Sequence, residues 1–332
     1  MKKFSVVLCV LFVSALILAG VSVSARERAQ QRPTDIAIVS ASPVGTVFFI
    51  VSGQTSILNS NMEGVIFTNE ASTGAPNVNG PFVDQDFTYM AYIPFCGLYA
   101  GVRGMTERGF RAPLDNVGFI YGGHNLFLYF ITLAESDITS IADLAGRRIS
   151  IPQVGTTGYF QTIAVLDAHG IDHTSDLTAV PMGFTDAADG LRDGHLVAIA
   201  INGGVVQATV AELDATRNIR FLSLDDEEAV EKLRVTHPYW VVNQFPEGIY
   251  AQQPDNFYVI NGGTAMIANL DLCDDLVYEI TKTLLTNVDT LAAVHRDGAD
   301  WNVERSVELM NLNLVPVHPG AERYFRSIGA IQ

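Results

Sequence analysis

The sequence has little positive charge. It contains 20 lysine and arginine residues against 36 aspartate and glutamate residues, which gives a formal net charge of -16 at neutral pH. Such a chain is repelled by nucleic-acid phosphates and by anionic membrane surfaces, so neither is expected as a partner. With 48% hydrophobic and 17% charged residues, the chain is not expected to be disordered, and it can bury one large core or two ordinary ones.

Cysteine is also scarce, with three residues in 332. Cys9 lies in the apolar N-terminal segment, which leaves Cys96 and Cys273 as a pair. In an oxidising compartment this pair could form one disulfide, and two buried thiols are the alternative. The sequence leaves both readings open.

The first 25 residues have the pattern of a secretory signal. Lys2 and Lys3 precede an apolar run from Phe4 to Val23, and small residues lead to Ala25. This order predicts a signal peptide over residues 1–25, cleavage after Ala25 and export. A retained membrane anchor is the alternative, because the run is long enough to span a bilayer. No later apolar run reaches that length, so the mature chain is expected to be soluble.

Sequence motifs of catalysis are missing. The chain contains no G-x-S-x-G turn, no H-E-x-x-H motif, no C-x-x-C pair, no P-loop and no G-x-G-x-x-G fingerprint. His169 and His173 are four residues apart, but Gly170 stands between them where a helix should end. They are therefore not expected to share a helix face and bind a metal. We expect neither an enzyme nor a bound metal or cofactor.

From Asp35 onward, apolar β-like segments alternate with helical segments, which is the pattern of an α/β fold with a largely parallel sheet. The length of the chain favours two lobes. No proline-rich or serine-rich linker separates them. The chain is therefore expected to cross between the lobes on strands, with a hinge of short segments at element ends.

Two helices are predicted with particular clarity. In the segment TTGYFQTIAVLDAHG, Tyr159, Ile163 and Leu166 fall on one helical face. Near the C-terminus, apolar residues recur at helical spacing from Val277 to Leu291, which predicts one long amphipathic helix.

Three turns of small and hydroxyl residues each follow a predicted strand and precede a predicted helix. They are SASPVGT (residues 40–46), PQVGTTG (residues 152–158) and INGGVV (residues 201–206). A helix start presents backbone N–H groups without intrahelical acceptors, and small residues let an anion approach them. Ligands of open α/β sheets bind at the carboxyl ends of strands, where such turns lie. Any one turn could be an ordinary connection, whereas three together favour a ligand site.

Several segments, in the right order, resemble the TAXI-type solute receptors of tripartite ATP-independent periplasmic (TRAP) transporters. The segment SDITSIADLAGRRISIPQVGTTGYFQTIAVLDAHGI is similar to the family's short helix, strand and glycine/hydroxyl turn. The segment GFTDAADGLRDGHLVAIAINGGV is similar to its helix, strand and ligand turn, and PVHPGAERYFRSIGA to its C-terminal signature. The resemblance covers nearly the whole mature chain.

The resemblance implies a type II periplasmic-binding-protein fold, in which two α/β lobes joined by a hinge close on a ligand in an interlobe cleft. Lobe I would contain residues 34–135 and 251–332, and lobe II residues 136–250. It also implies a periplasmic protein that binds a small organic acid or an acidic amino acid, such as glutamate or 2-oxoglutarate. This ligand would be delivered to the membrane permease subunits of a TRAP transporter.

The resemblance also assigns ligand-binding residues, with some departures. In the first turn Ser42, Gly45 and Thr46 keep the family's small and hydroxyl character, while Phe48 stands near positions that are tyrosine or tryptophan in the family. A polar run at the end of a later strand is replaced by AYIP, where Tyr92 is the remaining hydrogen-bonding candidate. The second and third turns contribute Gly155, Thr156, Thr157, Tyr159, Asn202, Gly203 and Gly204.

The resulting hypothesis is a carboxylate held by neutral donors. Thr156, Thr157 and nearby backbone N–H groups would bind it at a helix start, with Ser42 and Thr46 contributing from lobe I. The aromatic side chains of Phe48, Tyr92 and Tyr159 would line the apolar part of the cleft. A substrate-binding protein of an ABC transporter and a solute sensor for a membrane histidine kinase would have the same fold. An exported enzyme is a third alternative.

Overall fold

A computed structural model describes residues 32–43 and 46–332 of the chain. The predicted signal peptide, residues 1–25, and Gly45 of the first turn lie outside the described residues. Within the described ranges, no helix combines the length and the apolar character needed to cross a membrane.

Strands and helices alternate along the chain, and the predicted α/β fold class is confirmed. The strands are β1 (Asp35–Val39), β2 (Ile66–Glu70), β3 (Tyr89–Pro94), β4 (Val117–Leu133), β5 (Arg148–Ile151), β6 (Thr178–Pro181), β7 (Ala198–Gly203), β8 (Ile219–Leu222), β9 (Val241–Gln244) and β10 (Tyr258–Asn269). The α-helices are α1 (Thr46–Asn61), α2 (Pro76–Gln85), α3 (Phe95–Val102), α4 (Thr157–Ala168), α5 (Phe184–Arg192), α6 (Ala208–Thr216), α7 (Glu227–Thr236), α8 (Asp274–Leu285), α9 (Val288–Val294), α10 (Val303–Asn311) and α11 (Pro319–Ser327). Short 3₁₀ helices cover Thr106–Arg108, Ala142–Leu144 and Arg296–Asp300.

The two clearest helix predictions have different outcomes. The helix predicted after the second turn is present as α4, whereas the long C-terminal helix is divided into α8 and α9. At the break, the Asn287 side chain donates a hydrogen bond to the Thr283 carbonyl at 2.7 Å. Asparagine competes in this way with helix continuation although the apolar spacing carries on through it. The break lets Leu291 of α9 pack against Gly53 of α1.

The strands form one ten-stranded sheet in the order β2-β1-β3-β10-β4-β7-β5-β6, with β8 paired to β4 and β9 to β10. β1 pairs in parallel with β2 and β3, and β5 pairs in parallel with β6 and β7. The long antiparallel strands β4 and β10 join these two groups. The sheet is therefore mixed, and the prediction of a largely parallel sheet is wrong, because the two strands that cross between the lobes pair antiparallel with all their neighbouring strands. We use lobe I for the half that contains β1 to β3 and lobe II for the half that contains β5 to β7.

The chain crosses between the lobes inside continuous strands. β4 pairs with β10 from Val117 to Phe127 and with β7 from Phe127 to Thr132. The change of partner thus falls within β4, and no separate linker is needed. The predicted lobe limits, at residues 135/136 and 250/251, stay a prediction.

Both crossing strands carry a glycine pair at nearly the same level, at residues 122–123 and 262–263. A Cβ on Gly123 would lie 2.2 Å from the indole ring of Trp301. Trp301 precedes α10, so the missing side chain lets this helix and its preceding turn pack directly on the crossing strand.

Among the described residues, the hydrophobic core has three parts. In lobe I, residues such as Ile38, Met266 and Phe325 pack between the sheet and helices α1, α8 and α11. In lobe II, Tyr129 and Phe245 belong to a second cluster. The third cluster runs through the crossing strands and includes side chains of both lobes, among them Ile93, Phe119, Leu128, Val165 and Trp240. The lobes are therefore packed against each other as well as joined by strands.

Candidate functional site

A groove of about 1090 Å³ runs between the two lobes. Its lobe I wall comes from residues 73–78 at the start of α2 and from parts of 99–109. Its lobe II wall comes from parts of 154–167, which include the start of α4, and from residues 236–239. The groove therefore lies at the carboxyl end of β5, where ligands of open α/β sheets bind.

The second turn lines this groove at the start of α4. Gly155 has φ of +86°, in the left-handed region that favours glycine. The Thr156 hydroxyl accepts from the Tyr159 backbone N–H at 3.2 Å and donates to the Gln153 carbonyl at 2.7 Å. Thr156 is thus the N-cap, and the N–H groups of Thr157 and Gly158 have no intrahelical acceptor. Gly155, Thr156 and Tyr159 all line the groove.

The third turn meets the second through Asn202. A Cβ on Gly158 would lie 2.2 Å from Asn202 Oδ1, so only glycine permits this contact. Thr156 and Asn202 also line a smaller pocket of about 200 Å³ within lobe II. The structure therefore brings these two predicted residues together, beside the groove and not inside its main volume.

Gly204 faces a carboxylate, whereas a Cβ on Gly203 would lie 2.7 Å from Gln207 Cγ. A Cβ on Gly204 would lie 2.5 Å from Asp297 Oδ2, and the Tyr129 hydroxyl donates to the Gly204 carbonyl at 2.5 Å. Asp297 is 8% exposed, and its burial raises the pKa of its carboxyl, against the lowering effect of His295 and Arg296. The third turn is thereby held against a 3₁₀ helix that precedes α10. A ligand role for both glycines stays a prediction.

The first turn stands apart from the groove. Ser42 is exposed, Thr46 begins α1, and the Phe48 carbonyl accepts hydrogen bonds from Ser52 and Asn69 within lobe I. None of these three predicted residues lines the interlobe groove. Their ligand contacts stay a prediction.

Tyr92 is buried near the end of β3 and does not line the groove. Its ring stacks on His124 at a centroid distance of 6.2 Å and contacts Trp301 at 6.4 Å. Burial raises the pKa of the Tyr92 hydroxyl, so it is a neutral group at physiological pH. Its surroundings are those of a core residue beside the crossing strands, and its ligand contact stays a prediction.

Sequence reasoning missed Arg108, which projects into the groove from lobe I. Its Nη2 donates to the Tyr239 hydroxyl at 3.0 Å, and its Cζ lies 3.8 Å from the centre of the Phe160 ring. Both aromatic partners belong to lobe II. Arg108 forms no ion pair with a carboxylate in the part of the chain that the structure describes. The sequence gives little sign of this role. Arg108 is one of few basic residues in an acidic chain, and the segment between Gly104 and Gly109 matches no motif.

The groove carries few charges. Glu107 and Asp167 line it together with Arg108, and Lys232 lies 3.3 Å from the Asp167 carboxylate. Burial, with a contribution from Arg108, lowers the pKa of His237 to about 4, so this imidazole is neutral at physiological pH. Arg108 is therefore the positively charged side chain among the residues that line the groove.

Neither a metal cluster nor a disulfide is found among the described residues. No group of three or more His, Cys, Asp or Glu side chains there could hold a metal ion. Cys96 and Cys273 are free thiols, Cys96 buried and Cys273 half-buried. Of the two alternatives for Cys96 and Cys273, a disulfide or two free thiols, the structure has two free thiols.

One protein-family model matches nearly the whole described chain. The model of the NMT1-like family matches residues 38–329. The chain belongs to the NMT1-like family. This family assignment is less specific than the predicted one, and membership of the TAXI-type TRAP receptors stays a prediction.

Several solved structures share the fold of this NMT1-like chain. A TctC solute-binding protein from Polaromonas is 13% identical, with a TM-score of 0.58, and the match covers 91% of this chain and 99% of that one. MatC from Rhodopseudomonas palustris, solved with bound malate, is 11% identical, with a TM-score of 0.54 and coverage of 89% and 99%. An R. palustris protein solved with adipate is 16% identical, with a TM-score of 0.51 and coverage of 90% and 94%. The two-lobe binding-protein fold predicted from the sequence is confirmed.

Proposed function

We propose that this NMT1-like protein is the extracytoplasmic solute-binding receptor of a TRAP transporter of the TAXI type. It binds a small organic acid or an acidic amino acid, of the glutamate or 2-oxoglutarate kind, between its lobes. After export and removal of the signal peptide it acts in the periplasm, without catalysing a reaction, and delivers the solute to the membrane permease.

The observation that carries this proposal is the start of α4 in the interlobe groove. Thr156 caps the helix, and the free N–H groups of Thr157 and Gly158 point toward the end where an anion binds. Neutral donors of this kind can hold a carboxylate, because hydrogen bonds to a charged acceptor are about twice as strong as neutral ones. The groove lies between lobes that share two crossing strands, so a bound solute can favour closure.

The ligands of two structural neighbours support the same solute class. MatC is solved with malate, and the second R. palustris protein is solved with adipate. Both ligands are small carboxylic acids. A site built from a helix start and hydroxyl groups suits such anions.

The solute class is tested by thermal-shift screening of the purified protein against organic acids and amino acids, followed by calorimetric titration of each hit. A ligand that binds the native state raises the melting temperature. No shift with any small carboxylate at millimolar concentration would contradict the proposal.

The anchor is tested with the double variant Thr156→Ala/Thr157→Ala. We expect affinity for the identified carboxylate to fall by at least about tenfold, because the change removes the Thr157 hydroxyl and the N-cap that holds the N–H groups of Thr157 and Gly158 in place, and one charge-assisted hydrogen bond contributes about 1.5 to 3 kcal/mol. Thr286→Ala is a matched control, since it removes an exposed helix-end hydroxyl in lobe I. Affinity of the double variant within about twofold of the parent would show that the anchor lies elsewhere.

The transporter class is tested by uptake into proteoliposomes that contain a TRAP permease from the same cell. We expect uptake of the identified solute to require this receptor and an ion gradient, without ATP. Uptake that depends on ATP hydrolysis would instead support an ABC-type receptor, and phosphorylation of a co-reconstituted histidine kinase a sensor.

A further inference from the structure

A second, much smaller cavity lies beside the interlobe groove. Its volume is about 20 Å³, and its lining residues include Pro76, Cys96, Arg108, Gly155, Thr157 and Phe160. Arg108, Gly155 and Phe160 line the large groove as well, so the two spaces adjoin. A space of this size holds about one water molecule or one small polar group.

Three helices begin at this cavity. Pro76 is the first residue of α2, Cys96 the second residue of α3, and Thr157 the first residue of α4. A Cβ on Gly97 would lie 2.3 Å from Pro76, so glycine at this position lets α2 and α3 begin side by side. Each helix start carries a partial positive charge, and no carboxylate is among the residues that line the cavity. In a chain with net charge -16, this is a concentration of positive potential.

One buried donor next to the cavity has only a thiol opposite it. Trp240 is 4% exposed, and its indole N–H has no hydrogen-bond partner in the described part of the chain. Trp240 and Thr157 face the thiol of Cys96, which itself lines the cavity. A thiol is a weak hydrogen-bond acceptor, so the Cys96 side of the cavity is suited to a polar group that arrives with a ligand.

Arg108 links the lobes at the same point. Its guanidinium belongs to lobe I, but the Phe160 ring on which it stacks and the Tyr239 hydroxyl to which it donates belong to lobe II. These contacts exist only when the lobes are close together. They hold the guanidinium flat and leave its other N–H groups free for a planar acceptor.

We propose that Arg108 is the specificity-determining residue of the cleft, and that it anchors a single carboxylate of the solute at the meeting point of α2, α3 and α4. This inference rests on the proposed receptor function but narrows its solute class, because it favours a monocarboxylate where the proposed function names glutamate or 2-oxoglutarate, which carry two carboxylates. A guanidinium fork and a carboxylate form two parallel hydrogen bonds, which set the orientation of the ligand as well as its affinity. The body of the solute then extends into the large groove.

The charges of the large groove restrict that body. Apart from Arg108, its charged lining residues are the carboxylates Glu107 and Asp167, while Tyr99 and Tyr239 contribute aromatic surface. A second carboxylate on the solute would face acidic groups without a free cation. A monocarboxylate with an apolar body is therefore favoured over a dicarboxylate of the same length.

Calorimetric titration with hexanoate, adipate and phenylacetate, together with the hits of the solute screen, tests the anchor in the parent protein, in Arg108→Gln and in Arg108→Lys. We expect Arg108→Gln to weaken the binding of the best monocarboxylate by about tenfold to a hundredfold. Arg108→Lys keeps the charge but loses the planar fork, so an intermediate loss is expected. Arg111→Gln is the matched control, because Arg111 is exposed and lies outside the interlobe groove.

The outcomes separate this inference from the proposed function. Circular dichroism and the melting temperature establish that each variant is folded, and Arg108→Lys provides a second test if Arg108→Gln is not. Carboxylate binding that Arg108→Gln or Arg108→Lys leaves within about twofold of the parent overturns the anchor but not the receptor role. Adipate bound tenfold more tightly than hexanoate overturns the restriction to one carboxylate. Absence of any carboxylate binding in the parent overturns the proposed function itself.

Discussion

Gly123 lies on the crossing strand β4, directly against the ring of Trp301. A Cβ at this position would lie 2.2 Å from Cε2 and 2.4 Å from Cδ2 and Cζ2 of the indole. Such separations do not occur between packed carbon atoms, so Gly123→Ala forces the backbone or the ring to move. The change therefore tests whether the crossing strand and the turn before α10 are packed as described.

The ring has little freedom to move away. Trp301 is 1% exposed, and its Nε1 donates to His124 Nδ1 at 3.2 Å. The rings of Tyr121 and Tyr92 flank it at centroid distances of 5.6 and 6.4 Å. Overpacking of a rigid core costs about 1 to 3 kcal/mol, and the ring contacts put Gly123→Ala toward the upper end of this range.

The assay is urea unfolding followed by far-ultraviolet circular dichroism, which gives the free energy of unfolding of each variant. Gly183→Ala is the control, because a Cβ there would meet its nearest atom at an ordinary 3.7 Å. We expect this control to lose less than about 1 kcal/mol. A Gly123→Ala protein whose stability stays within about 0.5 kcal/mol of the parent would refute the packing.

A double variant makes the test specific to the ring. Trp301→Leu alone is expected to cost about 3 kcal/mol, since it removes a buried aromatic ring. In Gly123→Ala/Trp301→Leu the added methyl enters the space that the ring leaves. The combined loss should therefore be smaller than the sum of the two single losses, by about 1 kcal/mol or more. Additive losses would mean that the methyl is not opposed by this ring.

Two further predictions concern the same region. Burial, with His295 and Arg305, lowers the pKa of His124 from 6.5 to about 3, so its neutral form stabilises the fold fully above pH 6.5. The free energy of unfolding should therefore decline by up to about 1.4 kcal/mol per pH unit as the pH falls from 6.5 toward 3. His124→Gln should flatten the plot of the urea midpoint against pH, and a plot parallel to that of the parent would contradict the assignment. Asn79 is fully buried and bonds the Ser40 and Tyr92 carbonyls and the Ser72 hydroxyl, so Asn79→Ala should cost about 2 to 4 kcal/mol in urea unfolding. The exposed neighbour variant Asn77→Ala should cost less than about 1 kcal/mol, and equal losses would count against the network.

Local patterns were sufficient for much of the fold. The apolar run of β4 and the capped start of α4 lie within short stretches of sequence, because strand alternation and helix capping depend on near neighbours. The missing linker likewise indicated that the chain crosses between lobes on strands. The divided C-terminal helix shows the limit of this reasoning, since the apolar spacing continues through Asn287 while its side chain ends the helix.

The candidate site could be predicted only where one turn supplies all its parts. Gly155, Thr156 and Tyr159 are close in sequence, and the structure places them together in the groove. Ser42 and Tyr92 were assigned by resemblance, and the structure places Ser42 on the exposed surface and Tyr92 in the hydrophobic core. Burial of a tyrosine depends on which distant residues pack on it, and a short motif does not carry that information.

The sequence by itself determined the fold class, the absence of catalytic motifs and the anion-suited start of α4, because each of these depends on composition or on neighbouring residues. Only the tertiary structure decided which cation faces the cleft. Arg108 acquires its position from Phe160 and Tyr239, which are distant in sequence and belong to the other lobe. Such a contact arises from the packing of two lobes around crossing strands, and it leaves no periodicity or spacing in the chain.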